Sequence, residues 1–266
     1  MLKKIWRFIW KFILGFLILS VFSVIVFRFV PVPFTILMVQ RCIEDKMEGH
    51  EMKLKKQWVP LDKIANSLQL AVVASEDQNF LFHHGFDVDA IQKAVKFNDK
   101  QQKKKHPRLH GASTISQQCA KNVFLWQSRN FIRKGLEVYF TGLIELFWGK
   151  RRIMEVYLNV IEMGDGIYGA EAASEYYFGK HSIELTKEQA ALITVCLPNP
   201  RKFSPAHPST YINNRQAFIL QQMDQLGGRL DYKEKEDEER WDEGLLPRGQ
   251  LFPYRHGHFV ILSHFY

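Results

Sequence analysis

Residues 70–90 read LAVVASEDQNFLFHHGFDVDA. Leu61, Ile64, Leu68, Ala71 and Val72 recur at helical spacing up to this stretch, and Pro60 stands where a helix begins. The apolar face ends on Glu76, with Asp77 beside it. A carboxylate set against apolar walls and a second negative charge is pushed toward its protonated form, which is how proteins make a general acid or base. Spacing alone also fits a glutamate at a helix end in solvent. His83 and His84 follow, and isolated histidines of this kind are more often structural than metal ligands.

Outward from that stretch the pattern stays helical. A second apolar stripe runs from Val88 through Ile91 to Val95, and residues 96–110, KFNDKQQKKKHPRLH, read as a basic loop. Residues 111–122 are GASTISQQCAKN, in which Thr114 and Gln117 have the spacing of a capping box. Ser113, Ser116, Gln117, Gln118, Lys121 and Asn122 make a polar helix turn, and a helix start with hydroxyls and a lysine suits an anion. Arg133, Lys134 and Glu137 add two cations and a second carboxylate, although Arg133 and Glu137 also have the spacing of an ordinary i,i+4 ion pair. From Ile132 to Glu162 the periodicity predicts helix, with Leu143, Phe147, Ile153, Tyr157 and Ile161 as core. Helices are expected again over 185–195 and 211–226, and no alternating strand is evident before residue 228. Gly164, Gly166 and Gly169 match a dinucleotide fingerprint, but a helical pattern precedes them where a strand is required. A tight turn and a close helix approach explain them better.

The N-terminus sets the compartment. Residues 12–27, FILGFLILSVFSVIVF, carry no charge, and a bilayer needs about 20 apolar residues. A transmembrane anchor over 12–30 is expected, with Lys3, Lys4, Arg7 and Lys11 keeping residues 1–11 in the cytoplasm and the remainder outside. The alternative, a cleaved signal peptide, lacks a small-residue cleavage site and has too long an apolar stretch. Residues 34–43, FTILMVQRCI, suit either the outer leaflet or a buried helix. The chain has 266 residues and net charge +8, which allows one domain plus extras and favours an anionic partner. Three cysteines, Cys42, Cys119 and Cys196, give neither a disulfide framework nor a zinc pattern. An acidic tail is expected over 229–266.

Five ordered blocks carry a resemblance. ASEDQNFLFHHGFD, GASTISQQCAKN, RKGLE, KRRIMEVYLNVIEMGDGIYGAEAASEYYFGK and LTKEQAALITVCLPNPRKFSP resemble the peptidoglycan glycosyltransferases of family 51 from about Pro31 to Leu226. The resemblance implies a mainly α, lysozyme-like glycosyltransferase domain over 31–228 behind one N-terminal transmembrane helix, with a small membrane-embedded subdomain beside the cleft. No serine has a lysine three positions later and no K-T-G occurs, so the single-domain form without transpeptidase is expected.

Carried onto matching positions, the resemblance implies Glu76 as general base, with Phe80 holding its block. It implies Glu137 near a leaving pyrophosphate, with a divalent metal, Mg or Mn, as the ion it would hold. Lys121, Arg133 and Lys134 match cations that steady departing charge. Ser113, Gln118 and Asn122 match positions that orient sugar and phosphate, and the YLN and YFGK blocks are expected to be structural. Implied partners are lipid II, the growing glycan, the inner (cytoplasmic) membrane and proteins of cell-wall synthesis or division. Neither an organic cofactor nor nucleic acid is expected. Two rivals stand beside this reading. One is a lysozyme-like glycan hydrolase, against which the clustered cations argue. The other is a non-catalytic lipid-binding scaffold, against which Glu76 and Glu137 argue.

Overall fold

A computed structural model describes residues 2–102, 111–128, 130–228 and 230–232. Among the described residues the fold is mainly α, as the sequence predicts. The helices are α1 (Leu2–Phe29), α2 (Ile36–Met47), α3 (Asn66–Glu76), α4 (Val88–Gln102), α5 (Ile115–Phe124), α6 (Phe131–Phe147), α7 (Lys150–Val160), α8 (Ala170–Phe178), α9 (Lys187–Cys196) and α10 (Thr210–Gln225).

Helix α3 is the centre. Residues 68–74 are all buried, so it is covered all round rather than on one stripe, with Gln69 the one polar side chain in that run. Helices α9 and α10 pack against it. Helix α5 packs against α6 and α7, placing the polar turn of residues 113–122 beside the cations of α6. The start of α5 is fixed by the expected capping box: Gln117 N–H donates to Thr114 Oγ1 at 3.2 Å, and Thr114 N–H to Gln117 Oε1 at 3.1 Å.

Several expectations need correction. The pattern over 132–162 is two helices, because α6 stops at Phe147 and Gly149 caps the start of α7. Helix α4 runs on to Gln102, so the first part of the expected basic loop is helical, and 103–110 lie outside the described residues. Its stripe of Val88, Ile91 and Val95 is exposed. A small sheet also forms. Strand β1 (Lys55–Lys56) pairs in parallel with β3 (Ile167–Tyr168), which pairs antiparallel with β2 (Glu162–Gly164). Strands of two or three residues are too short to show alternation.

The glycines between β2 and α8 serve geometry, as expected. Gly169 has φ +85°, and a Cβ there would lie 2.8 Å from the carbonyl oxygen of Asn159. Asn159 itself is fully buried. Its side chain accepts from Val59 N–H at 2.9 Å and donates to the carbonyls of Val59 at 2.9 Å and Glu155 at 2.8 Å.

Helix α1 is long and apolar enough to cross a membrane over Lys3–Phe29, which fits a single-pass anchor. It ends before Pro31 and Pro33, as expected, and begins about ten residues before the uncharged run. Its C-terminal half is docked. Ser20 and Tyr139 hydroxyls lie 2.8 Å apart, and Trp148 Nε1 donates to Val24 O at 2.8 Å. Arg152 donates to Phe27 O at 2.8 Å and Val30 O at 2.6 Å, satisfying carbonyls that a helix end leaves open. Helix α2 has two faces, Leu37 and Met38 being buried, as the buried-helix reading requires, whereas Val39 and Ile43, with Phe34 ahead of the helix, are exposed. At the other end, Tyr232 O–H donates to Gln69 Oε1 at 3.0 Å, so the described part of the expected tail rests on α3. Residues 233–266 lie outside the described residues.

Candidate active site

Glu76 is the last residue of α3, where the negative end of the helix dipole and the apolar core both disfavour its charge. Its carboxyl is pushed above the usual carboxylate range. Burial is the main cause, opposed by hydrogen bonds from Gln118 and Ser75 and by the Arg215 charge. Asp77 raises it too, as the sequence leads one to expect, and is the smallest of these causes. Asp77 has its own set of partners. Asp77 accepts from Ile115 N–H at 2.9 Å, at the start of α5, and faces His83 Nε2 at 2.9 Å. His83 therefore clamps the turn, and His84 is exposed.

Helix α5 links this carboxylate to the cations. Gln118 Nε2 donates to Glu76 Oε2 at 2.9 Å. Lys121 lies one turn further along the same helix, and its ammonium makes no hydrogen bond or ion pair among the described residues. Burial pulls its ammonium below the ordinary lysine range, while the charges of Glu137 and Glu76 act the other way and those of Arg133 and Lys134 reinforce burial. On α6, Arg133 Nη1 donates to Glu137 Oε2 at 2.6 Å, and Lys134 Nζ pairs with Glu137 Oε1. The Glu137 side chain is 4% exposed and the Lys134 side chain 46%, so Lys134 faces outward over a covered carboxylate. Arg133 Nε is buried without a partner among the described residues.

Such an arrangement suits an anion. A divalent metal would need hard oxygen donors, and both Glu137 oxygens already meet cations. The residues as arranged do not fit a metal there. The remaining expected residues sit differently. Ser113 is exposed in the loop before α5. Asn122 is buried, and its Nδ2 donates back to Gln118 O at 2.8 Å, within its own helix. Phe80 is fully buried under the Lys150 ammonium, 4.8 Å from its ring centroid.

Other groups close on the site without a signal in the local sequence. Tyr157 O–H donates to Gln118 Oε1 at 3.2 Å, and the Arg215 charge reaches Glu76 from α10. Beneath α5, Ser116 Oγ donates to Glu145 Oε1, which also pairs with Lys150 at 2.7 Å. Gln118 and Tyr157 lie 39 residues apart, beyond any helical periodicity.

The chain is similar to known proteins over most of its length. A family model described as Transglycosylase matches residues 44–224. A biosynthetic peptidoglycan transglycosylase of Pseudomonas syringae pv. syringae (strain B728a) is 47% identical over 241 residues, covering 91% of this chain and 100% of its own. One from Stutzerimonas stutzeri (strain A1501) is 49% identical over 228 residues, 86% of this chain and 92% of its own. One from Shewanella oneidensis (strain MR-1) is 47% identical over 225 residues, 85% and 94%. The match across most of the chain has one conclusion: this protein is an enzyme of glycosyl transfer and belongs to the transglycosylase family.

Proposed function

We propose that the chain polymerises lipid II into β-1,4-linked peptidoglycan glycan on the outer face of the inner (cytoplasmic) membrane. Glu76 takes the proton from the 4-hydroxyl of the acceptor sugar. The freed oxygen attacks C1 of the growing donor glycan. The bond from C1 to the diphosphate oxygen breaks, and undecaprenyl pyrophosphate leaves with the electron pair. Attack opposite the leaving group inverts the anomeric centre, needing one base and no covalent enzyme intermediate. Lys121, Arg133 and Lys134 stabilise the charge that develops on the departing diphosphate. Glu137 holds Arg133 and Lys134 in place.

The observation that carries this reading is that α5 bonds to the raised carboxyl of Glu76 through Gln118 and carries Lys121 one turn away, beside the Arg133–Lys134–Glu137 cluster. A hydrolase has no need of such cations. The docked anchor supports a membrane-borne substrate, and the lysines and arginine before residue 12 support an N-terminus in the cytoplasm. Purified protein with labelled lipid II is expected to yield a polymer that lysozyme digests, unaffected by penicillin and blocked by a moenomycin-type inhibitor. Short soluble glycan fragments released from preformed strands would instead indicate a hydrolase.

A further inference from the structure

We propose that Tyr157 is a positioning residue, which through the Gln118 amide fixes one oxygen of Glu76 and leaves the other to take the proton. This rests on the reading of Glu76 as the base. The geometry runs in one direction. An ionised carboxylate only accepts, an amide has one donating and one accepting end, and a phenol donates. Tyr157 O–H donates to Gln118 Oε1 at 3.2 Å, and Gln118 Nε2 donates to Glu76 Oε2 at 2.9 Å. Turning the amide over would set its carbonyl against the carboxylate and strand the phenol proton inside the core, where an unmade hydrogen bond is costly. Tyr157 is fully buried, and burial keeps its phenol protonated across the working range.

The other groups facing Glu76 do not hold that amide. Ser75 Oγ lies 3.4 Å from Glu76 Oε1. The Arg215 charge comes from α10, Asp77 from the adjoining turn and the Lys121 charge from α5. Oε2 is thus held by a strong donor and Oε1 by a weak one, so Oε1 is the oxygen open to a sugar hydroxyl.

The test is the pH profile of kcat/KM for lipid II polymerisation. The hydrogen bond from Gln118 favours the ionised carboxylate. Loosening it favours the protonated form, which cannot act as base. Tyr157→Phe is therefore expected to move the acidic limb to higher pH, with about a fivefold loss on the acidic side that closes at higher pH. Gln118→Met should move the limb the same way, and the double variant no further than Gln118→Met alone. Placing 3-fluorotyrosine at 157 keeps the hydroxyl but makes it a better donor, so the limb should move to lower pH. That variant decides the matter if Tyr157→Phe does not fold. An unmoved limb in a folded Tyr157→Phe or fluorotyrosine protein overturns the proposal, as does a double variant with additive shifts. Wild-type activity in Glu76→Gln would instead overturn the base reading, so the two failures are distinct.

Discussion

Replacing Lys121 with methionine should raise stability while removing most activity. The Lys121 ammonium is largely buried beside α6, without a hydrogen bond or ion pair among the described residues, and Arg133 and Lys134 repel it. Taking an ammonium out of water costs several kcal/mol, of which the attraction of Glu137 and Glu76 returns only part. Methionine keeps a similar stem and drops the charge. A gain of about 1 kcal/mol is expected, or about 2–4 °C in Tm for a domain of this size. Activity should move the opposite way. Removing one preorganised group that meets developing negative charge costs about 10²–10³ in kcat. The stability gain should also depend on pH. Because the folded-state pKa of Lys121 is lowered, its destabilisation is full below that pKa and fades as pH rises toward the unfolded value of about 10.4. The Tm gap between variant and wild type should therefore narrow from pH 7 toward pH 10. Melting in detergent and polymerisation of labelled lipid II measure both quantities. A Tm several degrees lower with activity retained would refute the reasoning and make Lys121 a structural strut.

Two further outcomes test the scaffold. Asn159→Ala strips partners from the N–H and C=O of Val59. A loss of about 3 kcal/mol is expected, roughly 6–12 °C in Tm, and a loss under about 1 kcal/mol would contradict the contacts described. Arg152→Gln frees the carbonyls of Phe27 and Val30 at the end of α1. In proteoliposomes it should speed protease cleavage between residues 30 and 36, and unchanged cleavage would mean that the anchor is held by other contacts.

Local rules read what lies within one helical turn. Thr114 and Gln117 disclosed the start of α5, Arg133 and Glu137 their i,i+4 pair, and the three glycines their turn. The break at Trp148–Gly149 was hidden because apolar periodicity continues across it. The apolar stripe of α4 was legible, but periodicity does not say whether a face finds a partner, and this one is exposed. The charge of Asp77 beside Glu76 was legible as adjacency in sequence, whereas its partners, His83 and the start of α5, are set by the fold. The link from Tyr157 through Gln118 to Glu76 spans α7, α5 and α3, and no spacing rule reaches that far.

The most direct measurement of the central claim is lipid II polymerisation by Glu76→Gln. The substitution keeps the shape of the side chain and removes its ability to accept a proton. The account predicts a folded protein that makes no glycan polymer, with a Tm at neutral pH no lower than wild type, because a charge that its surroundings disfavour has been removed. Polymer formation at the wild-type rate would contradict it.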